Sequence, residues 1–299
     1  MSFPRRILAA TDFSPTAERA VARAVRLASQ HGAELHLLHV VRPLDLYPAL
    51  TLEPDALAGH DAAVQQVEQS RLELAAAELA ARFGIQVRAA ARIGRVHAEV
   101  AEYAQTNAAD LVVVGARGEN TLLDLLMGAT ASRLLRLVSL PVLIVRRPGD
   151  APYRKVLAAV DLSPVSVEVV RHVRALAGDA AVTVLHVLGS EVEQRLRRAK
   201  LAQADITNWL ERQRAEAGRQ LDSLLSGLEA GPTIGRSIRH GLASAEICRC
   251  IEETGTELVA LGRHGHGGPM HEWMLGSVSK DVAFATGIDV LMIHLPAAA

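Results

Sequence analysis

The sequence predicts an α/β protein of two tandem, doubly wound Rossmann-like domains, each a parallel sheet with helices on both faces. Three observations carry that expectation. The chain has 299 residues, about twice the ~150 that one domain commonly needs. It is 49% hydrophobic but only 3% aromatic, so its core is aliphatic, as in strands buried beneath helices. Its landmarks also occur twice in the same order. Arg5-Arg6-Ile7-Leu8-Ala9-Ala10-Thr11-Asp12-Phe13-Ser14-Pro15 returns as Arg154-Lys155-Val156-Leu157-Ala158-Ala159-Val160-Asp161-Leu162-Ser163-Pro164. Leu37-Leu38-His39-Val40 is answered by Val184-Leu185-His186-Val187, and Gly94 with Ala98-Glu99-Val100 by Gly241 with Ala245-Glu246-Ile247. Asp110 to Gly118 reads like Glu257 to Gly265, and Pro141 to Val145 like Ile288 to Ile293. Ordered repetition of this kind marks a duplication. We place a first domain at 1–147, a linker at 148–153 and a second domain at 154–299.

In the first half the aliphatic runs Ile7–Thr11, Leu35–Val41, Gln86–Ala91, Leu111–Gly115 and Val142–Arg146 read as strands. Between them Ala17–His31, Asp61–Phe83 and Ala129–Val138 carry apolar residues at helical spacing. Ser14-Pro15 offers an N-cap followed by proline at the first helical position, and Ser163-Pro164 is expected to repeat it. Gly32 and Gly84 stand where helices end. Arg42 to Gly59, with Pro43, Pro48 and Pro54, reads as a long loop. Its counterpart, roughly Val192 to Leu228, reads as mostly helical, and its basic cluster Arg195, Arg197, Arg198 and Lys200 as a solvated face, with a site for an acidic partner as the alternative.

Composition excludes several classes. Lys plus Arg number 32 against 33 Asp plus Glu, a formal charge of −1, which argues against a nucleic-acid or anionic-membrane partner. The two cysteines, Cys248 and Cys250, are two apart and point apart on a helix, so no disulfide framework is expected and a reducing compartment fits. The N-terminal apolar run stops at Asp12, too short for a signal-peptide core, and no run of ~18 apolar residues is present to span a bilayer. A soluble cytoplasmic protein is expected.

The chemistry concentrates after the fourth strand of each half. Gly115-Ala116-Arg117-Gly118 is followed by Gly128 and a helix; Gly262-Arg263-His264-Gly265 is followed by Gly276-Ser277-Val278-Ser279. A strand, glycine loop and helix N-terminus can cradle phosphate on backbone N–H groups. Glycine admits the phosphate to the main chain, and Arg117 could add a charge-assisted contact. The plainer reading of spaced glycines is a tight strand-to-loop turn.

These residues resemble the universal stress protein family in tandem form. The resemblance rests on Asp12 and Asp161 at the first strand ends, on the Leu-His-Val ends at His39 and His186, and on the loops Gly115-x2-Gly118-x9-Gly128 and Gly262-x2-Gly265-x10-Gly276-Ser277. It implies a five-stranded sheet of order 3-2-1-4-5 in each half, with strands 1 and 4 adjacent at the topological switch point. It further implies a binder of ATP, or of ADP or AMP, with magnesium accompanying ATP. Asp12 and Asp161 would contact the adenosine and the backbone near Val40 and Val187 the base. Gly115, Arg117, Gly118, Gly128 and Thr130, or Gly262, His264, Gly265, Gly276, Ser277, Val278 and Ser279, would hold the phosphates. The first half departs from the family's pattern with Ala129 where a hydroxyl belongs, Thr130 following; the second inserts one residue in the loop, which also carries Pro269. The family also implies pairing of the fifth strands, Val142–Val145 with Val290–Ile293, and leaves a homodimer open.

Two function classes follow. One is a stress-response regulator whose nucleotide occupancy alters conformation or partners with little turnover. The other is an enzyme: a slow ATPase, or a zinc-assisted hydrolase using His264, His266 and His271 near Glu272. Those imidazoles could ligate zinc, but their spacing matches no standard site. Neither half shows a nucleophile–base pair, a Walker A lysine or a first-turn Gly-x-Gly-x-x-Gly. A third reading is a scaffold with decayed nucleotide sites. His39 and His186 are expected to be satisfied histidines at buried strand ends, and the cysteines to be packing residues.

Overall fold

In the computed structural model residues 4–43, 54–116, 129–228, 234–263 and 275–294 are described. The chain divides into two compact units, with the division falling between Pro152 and Tyr153. The first runs β1 (Arg6–Thr11), α1 (Pro15–His31), β2 (Glu34–Val41), α2 (Pro54–Phe83), β3 (Val87–Ile93), α3 (Val96–Thr106), β4 (Leu111–Gly115), α4 (Ala129–Leu137) and β5 (Val142–Val145). Its strands are parallel in the order β3-β2-β1-β4-β5. The second runs β6 (Lys155–Val160), α5 (Val165–Ala177), β7 (Ala181–Gly189), α6 (Glu191–Arg198), α7 (Gln203–Ser226), β8 (Ile234–Gly241), α8 (Ala243–Thr254), β9 (Leu258–Gly262), α9 (Ser277–Ala285) and β10 (Asp289–Ile293). Its parallel order is β8-β7-β6-β9-β10. Each unit therefore has the 3-2-1-4-5 order the resemblance implies.

The central strands are buried on both faces, which explains why they read as continuous aliphatic runs: Ile7, Leu8 and Ala9 on β1 and Leu258, Val259 and Ala260 on β9 are inaccessible. Gly32 closes α1 in the left-handed region at φ 66°, its N–H bonded to the carbonyl of Ala28. The loop expected over Arg42–Gly59 is shorter at its far end, because α2 already begins at Pro54. Proline is well placed there, since the first helical N–H has no intrahelical acceptor to lose.

The expected second Ser-Pro cap is corrected. Ser14 caps α1, its Oγ accepting from the N–H of Ala17 at 3.2 Å and donating to Asp12 Oδ1 at 2.5 Å. In the second unit the N-cap is Pro164, in a helical conformation and without a side-chain cap. There Ser166, where the first half has Ala17, donates its hydroxyl to Asp161 Oδ1 at 3.1 Å. The aspartate oxygen that holds Ser14 in place is thus taken by another residue, and the buried Ser163 Oγ is left without a hydrogen-bond partner.

Two further features position the rest. Residues 148–151 are fastened to α1: the buried Arg23 donates to the carbonyls of Ala151 and Pro148 at 2.5 and 3.0 Å. The open edge of β3 is closed by α2, where Gln69 Oε1 accepts from Ala91 N–H at 2.6 Å, and the Gln65 and Gln69 amides donate to the carbonyls of Ala91 and Ala89. Cys248 is half-buried and Cys250 buried on α8, and burial pushes both thiols up, so they pack rather than react.

Candidate functional site

In each unit the chain leaves the first and fourth strands in opposite directions, which opens a crevice at their carboxyl ends. The aspartate beyond the first strand is set by a tight turn. Phe13 and Leu162, the residues after Asp12 and Asp161, both hold left-handed backbone at φ 59° and 64°. Neither is glycine, so each turn stores strain that the surrounding structure must hold. The carboxylate closes the turn by accepting the N–H two residues on, Ser14 to Asp12 Oδ1 at 3.1 Å and Ser163 to Asp161 Oδ1 at 3.0 Å. The neighbouring strand braces it. His39 Nδ1 lies 2.8 Å from the carbonyl of Thr11, and His186 Nδ1 2.9 Å from that of Val160. A carbonyl only accepts, so each Nδ1 carries the proton and donates. Both histidines are satisfied rim residues, as expected.

The two crevices differ in size. The second-unit cavity is about 440 Å³ and brings together Asp161, Val187, Gly262, Gly276, Ser277, Val278 and Ser279. Its walls are completed by aliphatic side chains from α5 and α8, among them Val165, Val169 and Ile247. The first-unit cavity is about 120 Å³ and brings together Asp12, Val40, Gly115 and Thr130. Gly115 has a packing reason of its own: a Cβ there would lie 2.9 Å from the carbonyl oxygen of Thr16, in the first turn of α1. Arg117, Gly118, Gly128, His264, Gly265, His266 and His271 lie outside the described residues. Among the described residues no group of three or more His, Cys, Asp or Glu side chains is placed to hold a metal, and no helix is long and apolar enough to cross a membrane.

Helix α9 starts at the second cavity. Its N-cap Gly276 supplies no side-chain cap, so the N–H groups of the first turn have no acceptor in the helix itself and carry the positive end of its dipole. Ser279 is turned inward: its Oγ donates to the carbonyl of Gly262 at 2.6 Å and ties α9 to the end of β9. Gly276 N–H donates to the carbonyl of Arg263 at 2.8 Å, so the chain returns to the place it left.

Sequence reasoning passed over three residues of the cavity wall, Ser166, Val165 and Val169, and one buried charge next to Gly262, Arg263. Ser166 sits at the cavity and holds Asp161; its signal was a serine at the position of Ala17. Val165 and Val169 form an apolar wall that the repeat comparison did not single out. Arg263 stands where the first half has Ala116, is 4% exposed, and is lowered to about 10 by burial; a charge directly after a buried strand was its only mark.

The model of the Universal stress protein family matches the chain twice, at residues 4–146 and 152–294. A universal stress protein of Mycolicibacterium smegmatis is 28% identical over 300 residues, covering 96% of this chain and 96% of its own. Universal stress protein YxiE of Bacillus subtilis is 30% identical over 145 residues, 47% of this chain and 98% of its own. Among solved structures, a universal stress protein of Archaeoglobus fulgidus superposes with TM-score 0.66 at 16% identity, covering 97% of this chain and 98% of its own. At that identity the likeness speaks for the fold. With the family model accounting for both halves, the chain belongs to the universal stress protein family.

Proposed function

We propose that the second half binds an adenine nucleotide, ATP or its di- or monophosphate, and that occupancy sets the chain's conformation or partners in a stress response, with little turnover. The observation that carries this reading is the cavity of about 440 Å³, where Asp161, Gly262, Gly276 and Ser277 share one crevice. A cavity of this size suits a nucleoside with its phosphates at the mouth. Asp161 accepts from the ribose hydroxyls, the backbone at Val187 meets the base, and the start of α9 takes the phosphates on its N–H groups and the Ser277 hydroxyl. Magnesium would accompany a triphosphate. The regulatory route is population shift, because a ligand favours the conformation it binds more tightly.

The test is the nucleotide content of the full chain, released by denaturation and counted per chain. About one adenine nucleotide is expected. No nucleotide, together with no thermal stabilisation by millimolar ATP, overturns the reading. Retention by Asp12→Ala and loss by Asp161→Ala would place the ligand in the second half; the reverse pattern would place it in the first.

A further inference from the structure

The aspartate that lines the second cavity is held through one oxygen, and the chain carries two hydroxyls placed to hold it. Asp161 Oδ1 accepts the Ser163 N–H at 3.0 Å and the Ser166 hydroxyl at 3.1 Å. In the first half one residue does both: Ser14 gives Asp12 Oδ1 its N–H at 3.1 Å and its hydroxyl at 2.5 Å. Ala17 stands there in place of Ser166. Each aspartate is thus fixed by one turn N–H and one hydroxyl, and only the source of the hydroxyl differs. Ser163 sits in the turn where Ser14 does, with its own N–H already on the carboxylate. Its Oγ is buried and makes no hydrogen bond. A buried hydroxyl without a partner is costly, and rotation about its Cα–Cβ bond would bring this one to Asp161 Oδ1 in the manner of Ser14.

We propose that Ser166 and Ser163 are alternative donors to Asp161 Oδ1, either of which fixes the carboxylate for reading a ribose, so that the second half prefers a ribonucleotide to its 2′-deoxy counterpart. The proposal rests on the nucleotide reading above and adds to it the residues that set the selectivity. An ionised carboxylate only accepts hydrogen bonds, so the group it selects is a donor. The ribose hydroxyls are donors, and a ligand without the 2′ hydroxyl leaves the acceptor short of a partner. Val160, Val165 and Val169 line the cavity beside the carboxylate, and their side chains offer it nothing in exchange. Rejection is strong only if the acceptor keeps its place when the hydroxyl is missing. Asp161 is half-buried, so an untethered carboxylate would turn to water, and the two donors on Oδ1 prevent that. Holding it beforehand also spares the ligand the cost of ordering it. Both serines act through the aspartate and are positioning residues.

The experiment is calorimetry on the full chain with ATP and with 2′-deoxy-ATP, for the unaltered sequence, Ser163→Ala, Ser166→Ala and the double variant. ATP should bind the unaltered chain about tenfold or more tighter than 2′-deoxy-ATP, the worth of one hydrogen bond to a charged acceptor. Each single variant should give up at most about twofold of that ratio, because the other serine holds the oxygen. The double variant should bring the two ligands to within about twofold of each other, mainly by weakening ATP. A merely structural loss would weaken both ligands alike, so the ratio separates positioning from stability. A ratio that collapses in either single variant, survives in the double one, or is absent from the unaltered chain overturns the proposal and leaves the nucleotide reading in place. If neither ligand binds the unaltered chain, the nucleotide reading falls and the proposal with it.

Discussion

The crevices of the two halves share their strand order, their aspartate and their strained turn, yet one encloses about 440 Å³ and the other about 120 Å³. The difference begins at the first helix. Ser14 caps α1 and draws it into register from Pro15, and the carbonyl of Thr16 then comes so near Gly115 that only glycine fits. The turn above it is clamped too, with the Phe13 ring 5.1 Å from that of His39 and the Arg71 guanidinium 3.7 Å from its centre. In the second half the cap is lost, Ser166 takes the aspartate, and α5 starts from Val165. Duplicated halves can therefore share a strand frame and a turn while the first helix starts differently and the crevice beside it differs in size.

That comparison can be broken or sharpened in four ways. The largest expected effect is on ligand affinity. Asp161→Ala should weaken ATP binding about thirtyfold to a hundredfold, the worth of a charged hydrogen-bond acceptor, whereas Asp12→Ala should leave it within about twofold by calorimetry. Equal losses would show that the smaller crevice binds as well. Next, Gly115→Ala should destabilise the first half by about 1–3 kcal/mol through overpacking against Thr16, read as a lower urea midpoint.

Acid should act on the first half as well. Burial pushes His31, His36 and His97 below the ordinary imidazole value of 6.5; at His36 it outweighs the pull of Glu34. Below pH 6.5 the unfolded first half binds protons that the folded one refuses, so stability rises with pH in that window. The half should hold its full stability above pH 6.5 and lose it progressively as the pH falls below that value, through the lowered values of the folded state. Hydrogen exchange resolved by residue would check this, and His36→Gln should flatten the slope. A slope unchanged in that variant would mean that His36 is not among the groups responsible. The smallest effect is Ser277→Ala, a single hydroxyl worth about 1 kcal/mol, or roughly fivefold in nucleotide affinity.

Much of the frame was legible in the chain itself. The runs Ile7–Thr11, Leu35–Val41 and Leu111–Gly115 ended where β1, β2 and β4 end because helices cover both faces there, whereas Gln86–Ala91 stopped two residues short on the part-exposed β3; Gly32 closed α1 because a left-handed residue was needed there. What escaped reading depended on contacts between distant residues. Ser14-Pro15 and Ser163-Pro164 are the same dipeptide, yet only one caps, since the outcome is decided by the residue that competes for the aspartate. Gly115 and Gly262 are both glycine, and nothing local tells that the first makes room for a helix. The size of a crevice is likewise set by the approach of whole helices. Arg263 shows the converse: its charge was plain to see, while its burial was a property of the fold.

The bond from Gly276 N–H to the carbonyl of Arg263 and that from Arg263 N–H to the carbonyl of Ile293 tie the start of α9 and the end of β10 to the residue that follows β9. A tie of this kind fixes the elements independently of the length of chain between Arg263 and Gly276. The chain can gain or lose a residue there, as the ten-residue spacing against nine already records, without shifting the register of β9 or α9. Length can therefore vary between Arg263 and Gly276 at little cost to the folding of the elements that the tie joins.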